Sequence, residues 1–257
     1  MDNFKELLGE FIGTFILVFI GCGSVGVTIL FGWFGSLLEV AIVWGIGVAL
    51  AIFATRKISY AHLNPAVSWA MTLAGQISIK KFFLYTISQT IGAFAAAVLL
   101  YAFLSNDISI FEEANGIVRG TLESQNTAMM FGEFFPNPGY ADELTVSVHL
   151  ASVMEALGTF LLVAVIFWLV QLKTLNKNLL PVLIGLTVTL IICLVAPYTQ
   201  AGLNPARDFG PRLWAYFSGW GDAAFPATQY GFLTVYILSP FFGGAVAFYL
   251  MRFLKRA

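Results

Sequence analysis

Long stretches without a single Asp, Glu, Lys or Arg constrain this chain more than any other feature. Residues 11–38, 40–55, 58–79, 82–106, 178–206 and 223–251 are each charge-free, and 144–172 is broken only by Glu155. One helical crossing of a bilayer core takes about 20 apolar residues, so these stretches read as a succession of membrane spans. Composition agrees: 11% of the residues are charged and 59% hydrophobic, against about 25% charged in ordinary soluble domains. Such a sequence in water would expose large apolar patches, which excludes a soluble enzyme domain, a disordered tail and a small disulfide scaffold. A net charge of −1 offers nothing to a nucleic acid. Cys22 and Cys193 sit inside apolar runs and read as small core residues.

The 58–79 stretch is the exception. It carries His62, Asn64, Pro65, Ser68, Thr72, Gly75 and Gln76, too polar for a lipid-facing helix. Irregular backbone at membrane depth is tolerated where protein buries it or where it lines a wet cavity, so the segment reads as re-entrant. The expected architecture is an all-α membrane protein with six transmembrane helices and two re-entrant half-helices, the second following Leu203. Ten of the 13 basic residues (Lys5, Arg56, Lys57, Lys80, Lys81, Lys173, Lys177, Arg252, Lys255 and Arg256) then fall on one side. The positive-inside rule makes that side, with both termini, cytoplasmic. The expectation is a multi-pass protein of the cell (inner) membrane, with no cleavable signal peptide. A long outer loop over residues 107–143 would hold Asp107, Glu112, Glu113, Glu123, Glu133, Asp142 and Glu143.

The chain also repeats itself. Gly9-Glu10-Phe11-Ile12-Gly13-Thr14-Phe15 recurs as Met154-Glu155-Ala156-Leu157-Gly158-Thr159-Phe160, and Leu63-Asn64-Pro65-Ala66 recurs as Leu203-Asn204-Pro205-Ala206. Gly45 and Gly185 share the second offset. Repeat one covers about 5–106 and repeat two about 144–254, in a single domain spanning 1–257. Three crossings per repeat is an odd number, so the halves insert in opposite senses, an inverted repeat whose interrupted segments meet at the midplane. Gly13, Gly45, Gly158 and Gly185 read as close helix crossings.

Asn-Pro-Ala at that depth has a specific chemistry. Proline suits the first helical position, where no backbone donor is needed. Asparagine suits the cap, its side-chain oxygen accepting from the free N–H groups of the first turn. Its NH₂ then points ahead of the helix. Two such helices nose to nose place two positive dipole ends and two donor amides at one point, which favours a neutral oxygen and repels cations. Ala66 and Ala206 keep that junction compact.

His62-Leu63-Asn64-Pro65-Ala66-Val67 and Gly202-Leu203-Asn204-Pro205-Ala206-Arg207-Asp208-Phe209-Gly210-Pro211 resemble the signature loops of the major intrinsic protein (aquaporin) family over nearly the whole chain. Asp208, Arg212, Pro240 and the long outer loop resemble its glycerol-facilitator branch. The resemblance implies an aquaporin-like fold with one pore per subunit in a homotetramer. It further implies an outer selectivity filter at Trp44, Ile192, Ala201 and Arg207. Bacterial glycerol facilitators have Gly and Phe where this chain has Ile192 and Ala201; the set is similar to one group of plant nodulin-like channels. Water-selective members carry His at the Ile192 position. Tyr60 and Gln200 stand where relatives usually have Gly.

Each position has a plainer reading. Trp44 could anchor at the interface, Arg207 could snorkel to the surface, and Ile192 and Ala201 could simply pack. Glu10 and Glu155, acids within the spans, fit either a proton relay or, as the resemblance implies, acceptors for the N–H groups of the re-entrant loops. Their duplication favours the second. His62 reads as a loop brace or pore-wall residue, and no histidine shows ligand spacing for a metal. No cofactor and no enzymatic group is expected. The preferred function is a passive channel for glycerol and similar small uncharged solutes with water, excluding ions and protons, its surroundings the lipid bilayer. The alternatives are a channel mainly for water, or for metalloid hydroxides and undissociated small acids. From a different class comes an ion-coupled secondary transporter.

Overall fold

The structure is a computed structural model that describes residues 3–226 and 230–254. Lys255 and Arg256, two of the basic residues expected on the inner side, lie outside the described residues. Helices α1 (Asn3–Phe31), α2 (Leu37–Thr55), α3 (Pro65–Leu73) and α4 (Ile79–Ala114) come first. A short helix, α5 (Gln125–Ala128), lies in the following loop. Then come α6 (Val148–Gln171), α7 (Leu180–Thr199), α8 (Pro205–Ala215) and α9 (Ser239–Leu254). A wide π-type turn over Phe232–Leu238 leads into α9. Among the described residues six helices are long and apolar enough to cross a membrane, the last spanning Phe232–Leu254, while α3 and α8 are the short re-entrant pair.

Several boundaries differ from the charge-free stretches, for local reasons. The first stretch ran on through residue 38, but α1 stops at Phe31 because Gly32 takes a left-handed φ of +64° and Ser36 caps α2. In the other direction α1 extends back past Lys5 and Glu6. The 82–106 stretch is the middle of a 36-residue helix, so Asp107, Glu112 and Glu113 belong to its last turns and not to the loop. Charges are costly where a helix faces the hydrocarbon but sit readily in helical turns beyond it, so a charge-free window underestimates helix length. The 223–251 stretch begins in irregular chain, and residues 227–229 within it lie outside the described residues.

Serine caps open three long helices. Ser78 Oγ accepts from Lys81 N (3.2 Å), Ser147 Oγ from Leu150 N (3.2 Å) and Ser36 Oγ from Glu39 N (3.4 Å), each satisfying one first-turn donor. The long helices pack in two matched sets, α1 with α2 and α4, and α6 with α7 and α9, and α2 meets α7 along the seam between the sets. The half-helices are exchanged: α3 packs on α9 and α8 packs on α4. Glycine permits these approaches. A Cβ on Gly45 would collide with the backbone carbonyl of Gly185, and the converse holds. Gly92 meets the Phe11 backbone and Gly243 that of Ala156 in the same way. Gly13 and Gly158, expected at helix crossings, face Thr55 of α2 and Ile191 and Val195 of α7, and they also leave room for the side chains of Leu63 and Leu203, so they seat the re-entrant loops as well.

The outward faces are apolar. On α7 Leu186, Leu190 and Leu194, and on α2 Ile42, Ile46 and Leu50, are exposed at helical spacing. Polar side chains gather inside instead: Glu10, Thr14, Ser68, Gln89, Glu155, Thr159, Asp208 and Arg212 are all fully buried. That inversion suits a chain whose solvent is lipid and whose interior surrounds a polar path.

Candidate functional site

The site begins where the two half-helices meet. Asn64 caps α3, its Oδ1 accepting from Ala66 N at 2.8 Å. Asn204 caps α8, accepting from Ala206 N at 3.1 Å and Arg207 N at 3.2 Å. Each amide then crosses to the other half: Asn64 Nδ2 donates to the Leu203 carbonyl (2.9 Å) and Asn204 Nδ2 to the Leu63 carbonyl (2.8 Å). An NH₂ has two hydrogens, so each asparagine keeps one in reserve. Pro65 and Pro205 take the first helical positions, and Ala66 and Ala206, both buried, let the two noses touch.

The chain leading into each cap is strained in a matched way. Ala61 and Leu63 have φ of 49° and 53°; Ala201 and Leu203, each 140 positions later (201 − 61, 203 − 63), have 61° and 53°. Non-glycine residues in this region cost about 1–3 kcal/mol each and persist only where surroundings enforce them. Here the buried acids do the enforcing. Glu10 Oε1 accepts from His62 N (3.0 Å), and its Oε2 accepts from Leu63 N (2.7 Å) and Gln89 Nε2 (2.8 Å). Glu155 Oε1 accepts from Gly202 N (2.8 Å) and Thr199 Oγ1 (2.6 Å), and its Oε2 from Leu203 N (2.7 Å). Two buried carboxylates thus face two strained loops with the same pair of bonds. His62 braces its own loop through Nδ1 and Ser68 Oγ, 3.2 Å apart, and also lines the cavity.

A cavity of about 280 Å³ runs past this junction, lined by Asn64, Asn204, His62, Leu63, Leu203, Trp44, Ile192, Ala201 and Arg207. A second, of about 260 Å³, opens on the far side of Arg207 towards Gly35, Met129 and Tyr140. Trp44, Ile192, Gln200 and Arg207 line both. The four positions carried over from the resemblance therefore line one cavity, and three of them line both. Trp44 and Arg207 are buried, and the guanidinium carbon lies 4.2 Å from the indole centre. That contact holds the guanidinium over the indole, and neither residue sits in a surface belt.

Arg207 does not stand alone. Its Nη2 forms an ion pair with Glu133 Oε1, both side chains buried. Its Nη1 is buried with no hydrogen-bond partner among the described residues. The sequence reading placed Glu133 in an outer loop facing water. The loop instead folds back over the outer cavity. Glu133 N donates to Asp208 Oδ1 (2.8 Å), Phe134 N donates to Gln200 Oε1 (2.8 Å) and Asn137 Nδ2 donates to the Ala196 carbonyl (2.8 Å). One signal was present: Glu133 is an isolated acid inside Met129-Met130-Phe131-Gly132 and Phe134-Phe135, too greasy a surrounding for a solvated loop. Asp208 in turn holds Arg212 through Nε (3.0 Å) and Nη2 (2.6 Å), and Arg212 also donates to the carbonyls of Ala224 and Glu133. The rings of Phe134, Phe225, Phe232 and Tyr236 surround that guanidinium.

Among the described residues no group of three or more His, Cys, Asp or Glu is placed to hold a metal ion. Cys22 is a buried free thiol and Cys193 a half-buried one.

Comparison with known proteins agrees with this geometry. The major intrinsic protein family model matches residues 1–251. The glycerol uptake facilitator protein of Pseudomonas aeruginosa is 38% identical over 250 residues, covering 95% of this chain and 86% of that one. The propanediol uptake facilitator of Citrobacter freundii is 34% identical over 261 residues, covering 98% and 93%. The X-ray structure of the aquaglyceroporin from Plasmodium falciparum superimposes with a TM-score of 0.83 over the whole of both chains at 25% identity. With a family model over nearly its full length, six apolar spans and two nose-to-nose half-helices, this chain is an integral multi-pass membrane protein belonging to the major intrinsic protein family.

Proposed function

We propose that the whole chain, 1–257, forms one passive channel that lets glycerol and related small uncharged solutes, with water, diffuse across a membrane while excluding ions and protons. The observation that carries this reading is the partition at Arg207. Arg207, a buried cation, lines both cavities there together with Trp44 and Ile192. A polyol presents hydroxyls along one edge and carbon along the other, so its hydroxyls can meet the guanidinium while its carbons slide along the indole and the isoleucine. Ala201 leaves the fourth side open. At the midplane Asn64 and Asn204 can each donate the reserved N–H to a solute oxygen, and two helix N-termini give the place a positive potential that turns cations back. Glu10 and Glu155 are buttresses in this reading, not proton carriers, because each is spent on backbone donors. Asp208 holds the outer loop through Arg212. No chemical step is required, so no enzymatic role is assigned.

The printed names of two relatives, one a glycerol and one a propanediol uptake facilitator, support a short polyol or diol as solute. Both termini are proposed to be cytoplasmic, in a cell membrane, and the assembly a homotetramer, as the resemblance implies. The deciding experiment is stopped-flow light scattering on proteoliposomes under osmotic and glycerol gradients. Fast glycerol entry, equal with and without a pH gradient, is the expected outcome. Vesicles no more permeable than bare lipid to either solute would end the reading. Arg207→Val is expected to weaken discrimination among solutes and to admit protons; unchanged behaviour would remove Arg207 from the filter.

A further inference from the structure

At the end of the cavity opposite Arg207 the lining passes to Arg56, Tyr60 and Gln76. Tyr60 is the bulky residue there whose position is set in an unusual way. Its side chain is half-exposed, at 49%, whereas Tyr85 behind it is fully buried. Two neighbours grip the Tyr60 ring. It stacks on His62 with centroids 5.8 Å apart at 29°, and Lys81 Nζ lies 5.6 Å from its centre. Each neighbour is anchored further back. Lys81 pairs with buried Glu6 at 2.8 Å, Tyr85 Oη donates to the same Glu6 Oε2 at 2.7 Å, and Tyr85 packs edge-on to His62 at 5.5 Å. The contacts close into a circuit of five residues, Tyr60, His62, Tyr85, Glu6 and Lys81. Two of them, Tyr60 and His62, line the cavity.

A lone tyrosine at a pore mouth would swing between staggered rotamers and obstruct solutes only intermittently. A ring stacked on one aromatic and held by a cation that is itself tied to a buried carboxylate has no such freedom. It behaves as part of the wall, and a rigid wall sorts by width.

We propose that Tyr60 is a second size-determining residue of the pore, and that Lys81 and Glu6 are positioning residues that keep its ring in the path. The inference rests on the channel reading above and adds a sieve at the end remote from Arg207.

The test is light scattering on proteoliposomes with glycerol and with the five-carbon polyol xylitol, read as the xylitol-to-glycerol permeability ratio. Tyr60→Gly is expected to raise this ratio by about threefold or more, since a single added carbon already discriminates strongly in a fitted site. Tyr60→Phe, which keeps the ring, is expected to leave it unchanged, and Lys81→Met to raise it part-way by releasing the ring. Tyr60→Trp, a fuller ring, is expected to lower it, which keeps the test open should the glycine variant fail to fold. A ratio is used because a merely structural loss would reduce both permeabilities together. Wild-type protein that passes glycerol, with the same ratio in Tyr60→Gly and Tyr60→Trp, would overturn the sieve and leave the channel standing. Wild-type protein that passes no glycerol would overturn both.

Discussion

Glu133 and Arg207 form a buried ion pair at the partition between the two cavities. The carboxylate occupies Nη2, so the pair orients the guanidinium as well as balancing its charge. Removing one member of a buried pair strands the other charge, which costs about 3–5 kcal/mol. Glu133→Ala is therefore expected to lower the melting temperature of the detergent-solubilised protein by about 10 °C. Glu133→Gln is expected to lower it less and to change the water-to-glycerol permeability ratio, because the guanidinium is then free to turn. A variant with unaltered melting and an unaltered ratio would show the pair to be incidental.

Glu10 and Glu155 each accept two backbone N–H groups from the loops that enter α3 and α8. An orphaned buried donor costs about 1–3 kcal/mol, so Glu10→Ala and Glu155→Ala are each expected to lose about 2–6 kcal/mol of stability through two such donors. Glu10→Gln and Glu155→Gln keep an acceptor and should fold. Water and glycerol permeability are expected to fall together in these variants, without acquiring dependence on a pH gradient. A pH gradient that drives glycerol in the wild type and fails to do so in either glutamine variant would make these acids proton carriers.

The seam between α2 and α7 offers a packing test. A Cβ on Gly45 would meet the Gly185 carbonyl and the Thr189 hydroxyl, whereas one on Gly23 would find its nearest neighbour, Leu100 Cδ1, at an ordinary 3.7 Å. Gly45→Ala is expected to destabilise by about 1–3 kcal/mol; Gly23→Ala is expected to be neutral. Thermal aggregation assays on the two variants side by side would show the difference.

Arg212 binds the outer loop to α8 with a fork that lysine cannot reproduce. Its Nε and Nη2 both reach Asp208, while Nη1 and Nη2 serve the carbonyls of Ala224 and Glu133. Arg212→Lys keeps the charge and loses the bidentate geometry. The expected result is faster limited proteolysis within residues 116–126, with the membrane-embedded helices still resistant. Equal cleavage rates would mean that the aromatic cage alone holds the loop.

Much of this was legible in the chain itself, because lipid and duplication leave strong marks. Charge-free stretches announce spans, and a repeated Asn-Pro inside two of them announces half-helices, since few other structures have use for a capped helix start at that depth. Trp44, Ile192, Ala201 and Arg207 were reachable only through the resemblance, and the structure brings them around one cavity. What stayed hidden depends on long-range return of the chain. Glu133 reads as loop until Asn137 and Gln200 are seen pulling that loop down. Glu6 lies before the first apolar stretch, and nothing local reveals that Lys81 and Tyr85 will enclose it. Gly13 and Gly158 read as sites of tight helix approach, but that a loop leucine comes nearest to each needs the backbone path.

The crossed amide bonds from Asn64 to Leu203 and from Asn204 to Leu63 bear on how the molecule can move. A carrier that works by rocking one half against the other must part its halves at the centre on every cycle. Here that motion would break two polar contacts at once and would unseat the strained turns behind them. The centre is riveted. Solutes must therefore thread a path whose middle stays put, and adjustment of flow is left to the two ends.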